Sequence, residues 1–140
     1  MTPAAPAQVA YLVNVYPAPS HSFIRREIAA VEALGVRVHR FSLRRGTAPL
    51  VDAADRAEAG RTQVLLASPL AAGAGLLAGV LRQFLVRPRR AVAALGLALR
   101  LAASGDRRFI AHLGHFALAC ALLPRLRRTG AAHLHVHFGS

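Results

Sequence analysis

The chain has 140 residues, 54% of them hydrophobic, which is enough for one domain with a real core and too apolar for a disordered tail. All 18 basic residues are arginine, set against six acids, and the formal net charge is +12. One cysteine, Cys120, excludes an intramolecular disulfide framework and is compatible with a reducing compartment, while the opening MTPAAPAQ lacks the basic and apolar regions of a secretory signal.

Residues 9–43 read as one βαβ unit. Val9, Tyr11, Leu12, Val13 and Val15 form a β-branched and aromatic run with little polar alternation, as expected of a parallel strand covered on both faces. Pro17 and Pro19 then forbid continuation of the ladder, and Ser20 and Ser22 offer hydroxyls to cap a helix starting near Ser22. Ile24, Ile28, Val31 and Leu34 recur at helical spacing, and Gly35 stands where a left-handed stop is wanted. The second strand is predicted over Val36 to Leu43. Ligands of open α/β sheets bind beyond the carboxyl ends of strands, so the loop Tyr16 to His21, with a helix N-terminus behind it, is the first place for chemistry. No GxGxxG fingerprint is present, which weighs against a dinucleotide site.

Arg44 to Gly60 reads as a polar loop with one short helix. Thr62 to Ala67 is the predicted third strand, and Ser68 with Pro69 signals a capped helix start. Residues 64–81 are uncharged over 18 positions, the lower limit for a membrane span, but Pro69 divides the run and glycines 73, 75 and 79 weaken it. A buried strand followed by a buried helix is the favoured reading there. RPRR at residues 87–90 introduces a further apolar helix, and SGDRR at 104–108 introduces another, which Pro124 ends or kinks. Two readings stand for these arginine-framed helices: an apolar face sunk into an anionic lipid surface, or packing on a sheet with the arginines left in water. Ala132 to Phe138 returns as a strand.

Charge is unevenly placed. Residues 60–140 hold eleven arginines against Asp106 alone, whereas residues 1–59 hold seven against five acids. That asymmetry fits an anionic membrane, a pyrophosphate-bearing substrate or nucleic acid, and equally a solvated basic surface. Few aromatics and no basic recognition helix disfavour nucleic acid as a partner.

His133, His135 and His137 alternate, so they share one face of the last strand. Same-face neighbours on a strand lie roughly 6–7 Å apart at the backbone, which hinders convergence of three on one ion, and no metal is expected. His133 and His135 read chiefly as core histidines. Arg25 could meet an anionic acceptor group, while Glu27 reads as pairing within its helix. No Ser-His-Asp order or carboxylate pair supports a hydrolase.

The segment YLVNVYPAPSHSFIRREIAAVEALGVRVHRFSLR resembles the N-terminus of bacterial family-four glycosyltransferases of the GT-B fold, in the branch that builds colanic-acid-like exopolysaccharides. The resemblance rests on Tyr16, Pro17, Ser20, Ser22, Phe23, Ile24, Glu27, Ile28 and Gly35, and on the closing HLHVHFGS, similar to a family strand ending H-x-H-F-G. His21 stands where an acidic residue is common, and Ser22 where threonine is. The middle of the chain matches only in pattern.

The resemblance implies an α/β, Rossmann-like parallel sheet with flanking helices spanning 1–140 as one acceptor-side domain. It implies that His137 is catalytic, hydrogen-bonding the transferred sugar, and that Tyr16, Ser20, His21, Ser22, Arg25 and His135 bind substrate or support that site. The activity implied is retaining transfer of a hexose from a nucleotide sugar to a lipid-linked or growing polysaccharide acceptor, at the inner face of the plasma membrane. No other cofactor is implied. The donor domain with its basic residue and E-x7-E element is not found, so a truncated chain, inactive alone, is expected. Two other readings remain: a non-catalytic basic module for anionic membrane or nucleic acid, and a small multi-helix membrane protein.

Overall fold

A computed structural model describes residues 7–103 and 109–137. The predicted turn SGDRR and Phe138 of the predicted last strand lie outside the described residues.

The β-branched run forms β1 (Gln8–Val15), and a 3-10 turn over Pro19–His21 leads into α1 (Ser22–Ala33). The expected serine caps are not made: neither this turn nor α1 has a side-chain cap. A hydroxyl at Ser20 or Ser22 already lies within a helical turn, whereas capping needs an extended residue just ahead of it. Gly35 takes φ +82 and donates its N–H to Glu32 O at 2.9 Å, closing α1 as predicted. β2 follows over Arg37–Arg44, the predicted strand shifted by one residue towards the C-terminus.

The short helix in the polar segment is α2 (Ala53–Arg61), capped by Asp52, whose carboxylate accepts the Ala54 N–H at 2.9 Å. β3 is Thr62–Leu66 and β4 is His133–His137. All four strands are parallel, in the order β3-β2-β1-β4, a Rossmann-like α/β arrangement. Tyr11 and Val13 of β1 face α1, packing with Ile24 and Ile28 in a core that also holds Tyr16 and Val38. Phe41 of β2 is fully buried.

Where one domain is expected over 1–140, the described chain divides into two compact units, residues 68–125 forming one and the flanking segments the other. The first contains α3 (Pro69–Val86), α4 (Pro88–Ala103) and most of α5 (Phe109–Thr129). Ser68 caps α3 as predicted, its Oγ accepting the Ala71 N–H at 3.4 Å with Pro69 in the first turn. The expected burial of α3 is corrected: Leu70, Leu77, Leu81 and Leu85 are exposed, and 11% of its apolar window is buried. Its buried positions are Gly79 and Gln83, so one narrow stripe is covered and the broad leucine face is not. Pro124 does not end α5, which runs on to Thr129.

Candidate functional site

β2 lies on one side of β1 and β4 on the other, so the connections diverge at β1, and the crevice beyond its carboxyl end is the sheet's switch point. Register decides what lines it. Val9, Tyr11 and Val13 pair with His133, His135 and His137, and neighbours in register point to the same face. The histidines therefore stand on the α1 side of the sheet. His135 and His137 have ring centroids 4.6 Å apart, and His133 follows 6.4 Å from His135.

Glu27, on the second turn of α1, meets them. Its Oε2 lies 3.2 Å from His137 Nε2 and its Oε1 3.8 Å from His135 Nε2. The Tyr11 hydroxyl donates to the same Oε1 at 2.7 Å, and its ring stacks at a tilt beside both histidines, 4.9 and 5.7 Å between centroids. Phe23, 43% exposed, makes edge-to-face contacts with both His137 and His21, at 6.1 and 6.2 Å between ring centroids. His21 is held through Nδ1, 2.9 Å from Val15 O.

Of the residues expected to form the site, the structure thus gathers His21, His135 and His137. The expectation that His133 and His135 are core histidines is corrected: His133 is exposed and the His135 side chain is 42% exposed, because β4 is an edge strand of the described sheet. His137 is the more enclosed, at 16%. Ser20 is exposed and Ser22 half-buried. The expectation for Glu27 is also corrected, since it reaches across to β1 and β4 and not along its own helix.

Tyr16 and Arg25 belong to a structural network. Tyr16 is buried, donating its N–H to Ser42 Oγ at 2.9 Å and its hydroxyl to Glu58 Oε2 at 2.8 Å. Glu58 also accepts from Arg40 Nε at 2.8 Å, and Arg40 turns its two terminal nitrogens to Glu32, both at 2.8 Å. Burial opposes the charge of Arg40, but hydrogen bonds to Glu32 and Glu58 hold its pKa above the ordinary arginine value. Arg25 bonds Asp52 at 2.8 Å and lies 3.2 Å from Asp55, tying α1 to α2. Its guanidinium is thus occupied by carboxylates, not aimed at the crevice histidines. Beside this network, Tyr16, Pro17, Gly46, Leu50 and Val64 line a second cleft of about 200 Å³.

Both tyrosines resist ionisation. Burial first, then the hydrogen bond to Glu27, pushes Tyr11 up to about 12, and burial with the Glu58 bond lifts Tyr16 well above the usual phenol range. A phenol raised in the folded state keeps a proton that the unfolded chain releases near its ordinary pKa of 10.0. Stability is therefore intact below that value and falls as pH rises from it towards 12. Urea midpoints measured across this window should fall steeply for the native chain and less steeply for Tyr11→Phe.

Sequence reasoning missed Glu27 and Tyr11 as partners of the histidines. The odd-numbered alignment of Tyr11 with the histidines was a usable signal only once β1 and β4 were known to be neighbours, and Glu27, on a helix, carried none. Compared with known proteins, the chain matches no protein-family model, no curated protein and no solved structure.

Proposed function

We propose that this chain is the acceptor-binding, Rossmann-like part of a retaining glycosyltransferase that moves a hexose from a nucleotide sugar to a lipid-linked or growing exopolysaccharide acceptor. The observation that carries the reading is the His137–Glu27 pair, 3.2 Å apart at the switch-point crevice. A carboxylate and two imidazoles supply hydrogen-bond acceptors and donors suited to sugar hydroxyls, and Phe23 offers an exposed apolar surface for the C–H face of a sugar ring. In this reading the nucleotide sugar is held by a separate donor domain.

A second reading is favoured by the 68–125 unit. Leu70, Leu77, Leu81 and Leu85 are exposed on α3, and Arg87, Arg89 and Arg90 follow directly. Exposed leucines beside arginines suit the boundary of an anionic bilayer, where the apolar face sinks and the guanidinium groups meet phosphates. Such a basic module would need no catalysis. The same surface serves the first reading, because a lipid-linked acceptor is presented there.

One experiment separates them: co-sedimentation with neutral vesicles, with anionic vesicles, and with anionic vesicles carrying a polyprenyl-diphosphate-linked hexose. The acceptor reading expects the linked hexose to add affinity, and expects His137→Ala to lose about tenfold of that increment while leaving lipid binding alone. Affinity set by anionic lipid only, untouched by the sugar or by His137, leaves the basic module. Salt-reversible affinity for RNA exceeding that for the vesicles would turn the module into a nucleic-acid binder.

A further inference from the structure

Three observations at the crevice go beyond hydrogen bonding to a sugar. The first is convergence: one ligand atom each from Glu27, His135 and His137 lies within 4.8 Å of the others. Zinc–nitrogen and zinc–oxygen bonds of about 2.0–2.2 Å at tetrahedral angles put neighbouring ligand atoms roughly 3.3–3.5 Å apart. His137 Nε2 is 3.2 Å from Glu27 Oε2 and His135 Nε2 is 3.8 Å from Oε1, two oxygens of one carboxylate, so side-chain rotations that draw the 4.8 Å set together would close it on one ion.

The second is support. Metal-bound carboxylates are normally oriented by an outer hydrogen bond. Here the Tyr11 hydroxyl donates to Glu27 Oε1 at 2.7 Å, from a side chain fixed in the core against Ile24 and Ile28. The third is access: Glu27 and His135 are each about two-fifths exposed, which leaves one side of the triad open to solvent. Three protein ligands with an open position are the pattern of reactive, not purely structural, zinc sites.

We propose that Glu27, His135 and His137 form a binding site for one divalent transition-metal ion of the zinc class, with a fourth position left for water or an oxygen ligand. Imidazole and carboxylate ligands favour zinc, cobalt and nickel over magnesium or calcium, which take oxygen shells. The expectation of no metal considered only the strand histidines. Helix α1 changes the geometry by bringing a carboxylate over two of them, so the third histidine is not required. The site does not depend on glycosyl transfer and would exist in a binding module as well.

The test is titration of the full chain with Co²⁺, read by visible d–d absorption, and with Zn²⁺, read by calorimetry and by thermal unfolding. The expected result is one equivalent bound in a four-coordinate spectrum, with a rise in unfolding temperature at saturation. Glu27→Gln preserves the shape of the side chain and should lose more than tenfold in affinity, as should His137→Ala. Tyr11→Phe, which removes only the outer hydrogen bond, should lose about 10–100-fold. His112 and His115, one turn apart on α5, are the obvious competing pair, with ring centroids at 6.3 Å. Their double alanine variant should bind as the native chain does. Absence of stoichiometric binding, binding abolished by the His112/His115 variant, or binding unchanged in both Glu27→Gln and His137→Ala overturns the proposal.

Discussion

Replacing Arg40 by methionine is expected to cost about 3–5 kcal/mol of stability, because removing one partner of a buried ion pair leaves the other charge without compensation. Methionine roughly preserves the apolar stem, so the loss isolates the guanidinium. What it abandons is Glu58, 7% exposed, left with the Tyr16 hydroxyl at 2.8 Å and the exposed Arg61 at 3.8 Å. Glu32 also loses both its bonds to Arg40, though it is a third exposed and can turn to water. The unfolding temperature should drop by roughly 10 °C or more.

A double variant sharpens the point. Arg40→Met with Glu58→Gln removes both charges, and the second change should cost far less in that background than alone, since it relieves the stranded carboxylate. Strict additivity, or a single-variant loss below about 1 kcal/mol, would mean that water already reaches Glu58. Tyr16 makes this network relevant to the crevice. Its backbone follows β1 directly, and its hydroxyl anchors the loop that leads to His21.

Gly79 and Gly75 of α3 should respond to alanine with opposite signs. A Cβ at Gly79 would stand 2.7 Å from Ala121 Cα and 2.8 Å from Ala121 N, backbone atoms of α5 that cannot turn aside. Gly79→Ala is therefore expected to destabilise the 68–125 unit by about 1–3 kcal/mol, as overpacking does. The next contact along the same stripe, Gln83 Nε2 to Cys120 O at 3.5 Å, should loosen with it. At Gly75 nothing lies within 4 Å of the added carbon, so only helix propensity changes. That substitution should stabilise by up to about 1 kcal/mol. Amide exchange along α3 reads both. Equal effects at the two positions would show that α3 and α5 do not meet at Gly79.

Local signals were the legible part of this chain. Val9 to Val15, the paired prolines 17 and 19, and Gly35 place β1, α1 and β2 within a residue or two, because periodicity and stop signals act over short stretches. Ser68 with Pro69 likewise marked the start of α3. The fate of the α3 leucines was not legible, since period 3.6 states which residues share a face and not whether anything covers that face. Nor was the Glu27–Tyr11–His137 cluster, which requires that strand β4 pair with β1 in one particular register. Of the two outcomes expected at Pro124, an end or a kink, the end is not seen, since α5 runs on to Thr129.

The pairing of Val9 with His133 also sets a timetable for synthesis. As the chain leaves the ribosome, β1, β2 and β3 can assemble early, but the flank of β1 that takes β4 stays open until residues 133–137 have emerged. Such distant pairing is slow to form, and an unpaired strand flank is a template for sticking to other chains. The crevice itself comes into being only when His137 arrives opposite Val13. Any damage to β4, even one that leaves the rest of the described sheet folded, would therefore yield a chain that has a core and lacks its site.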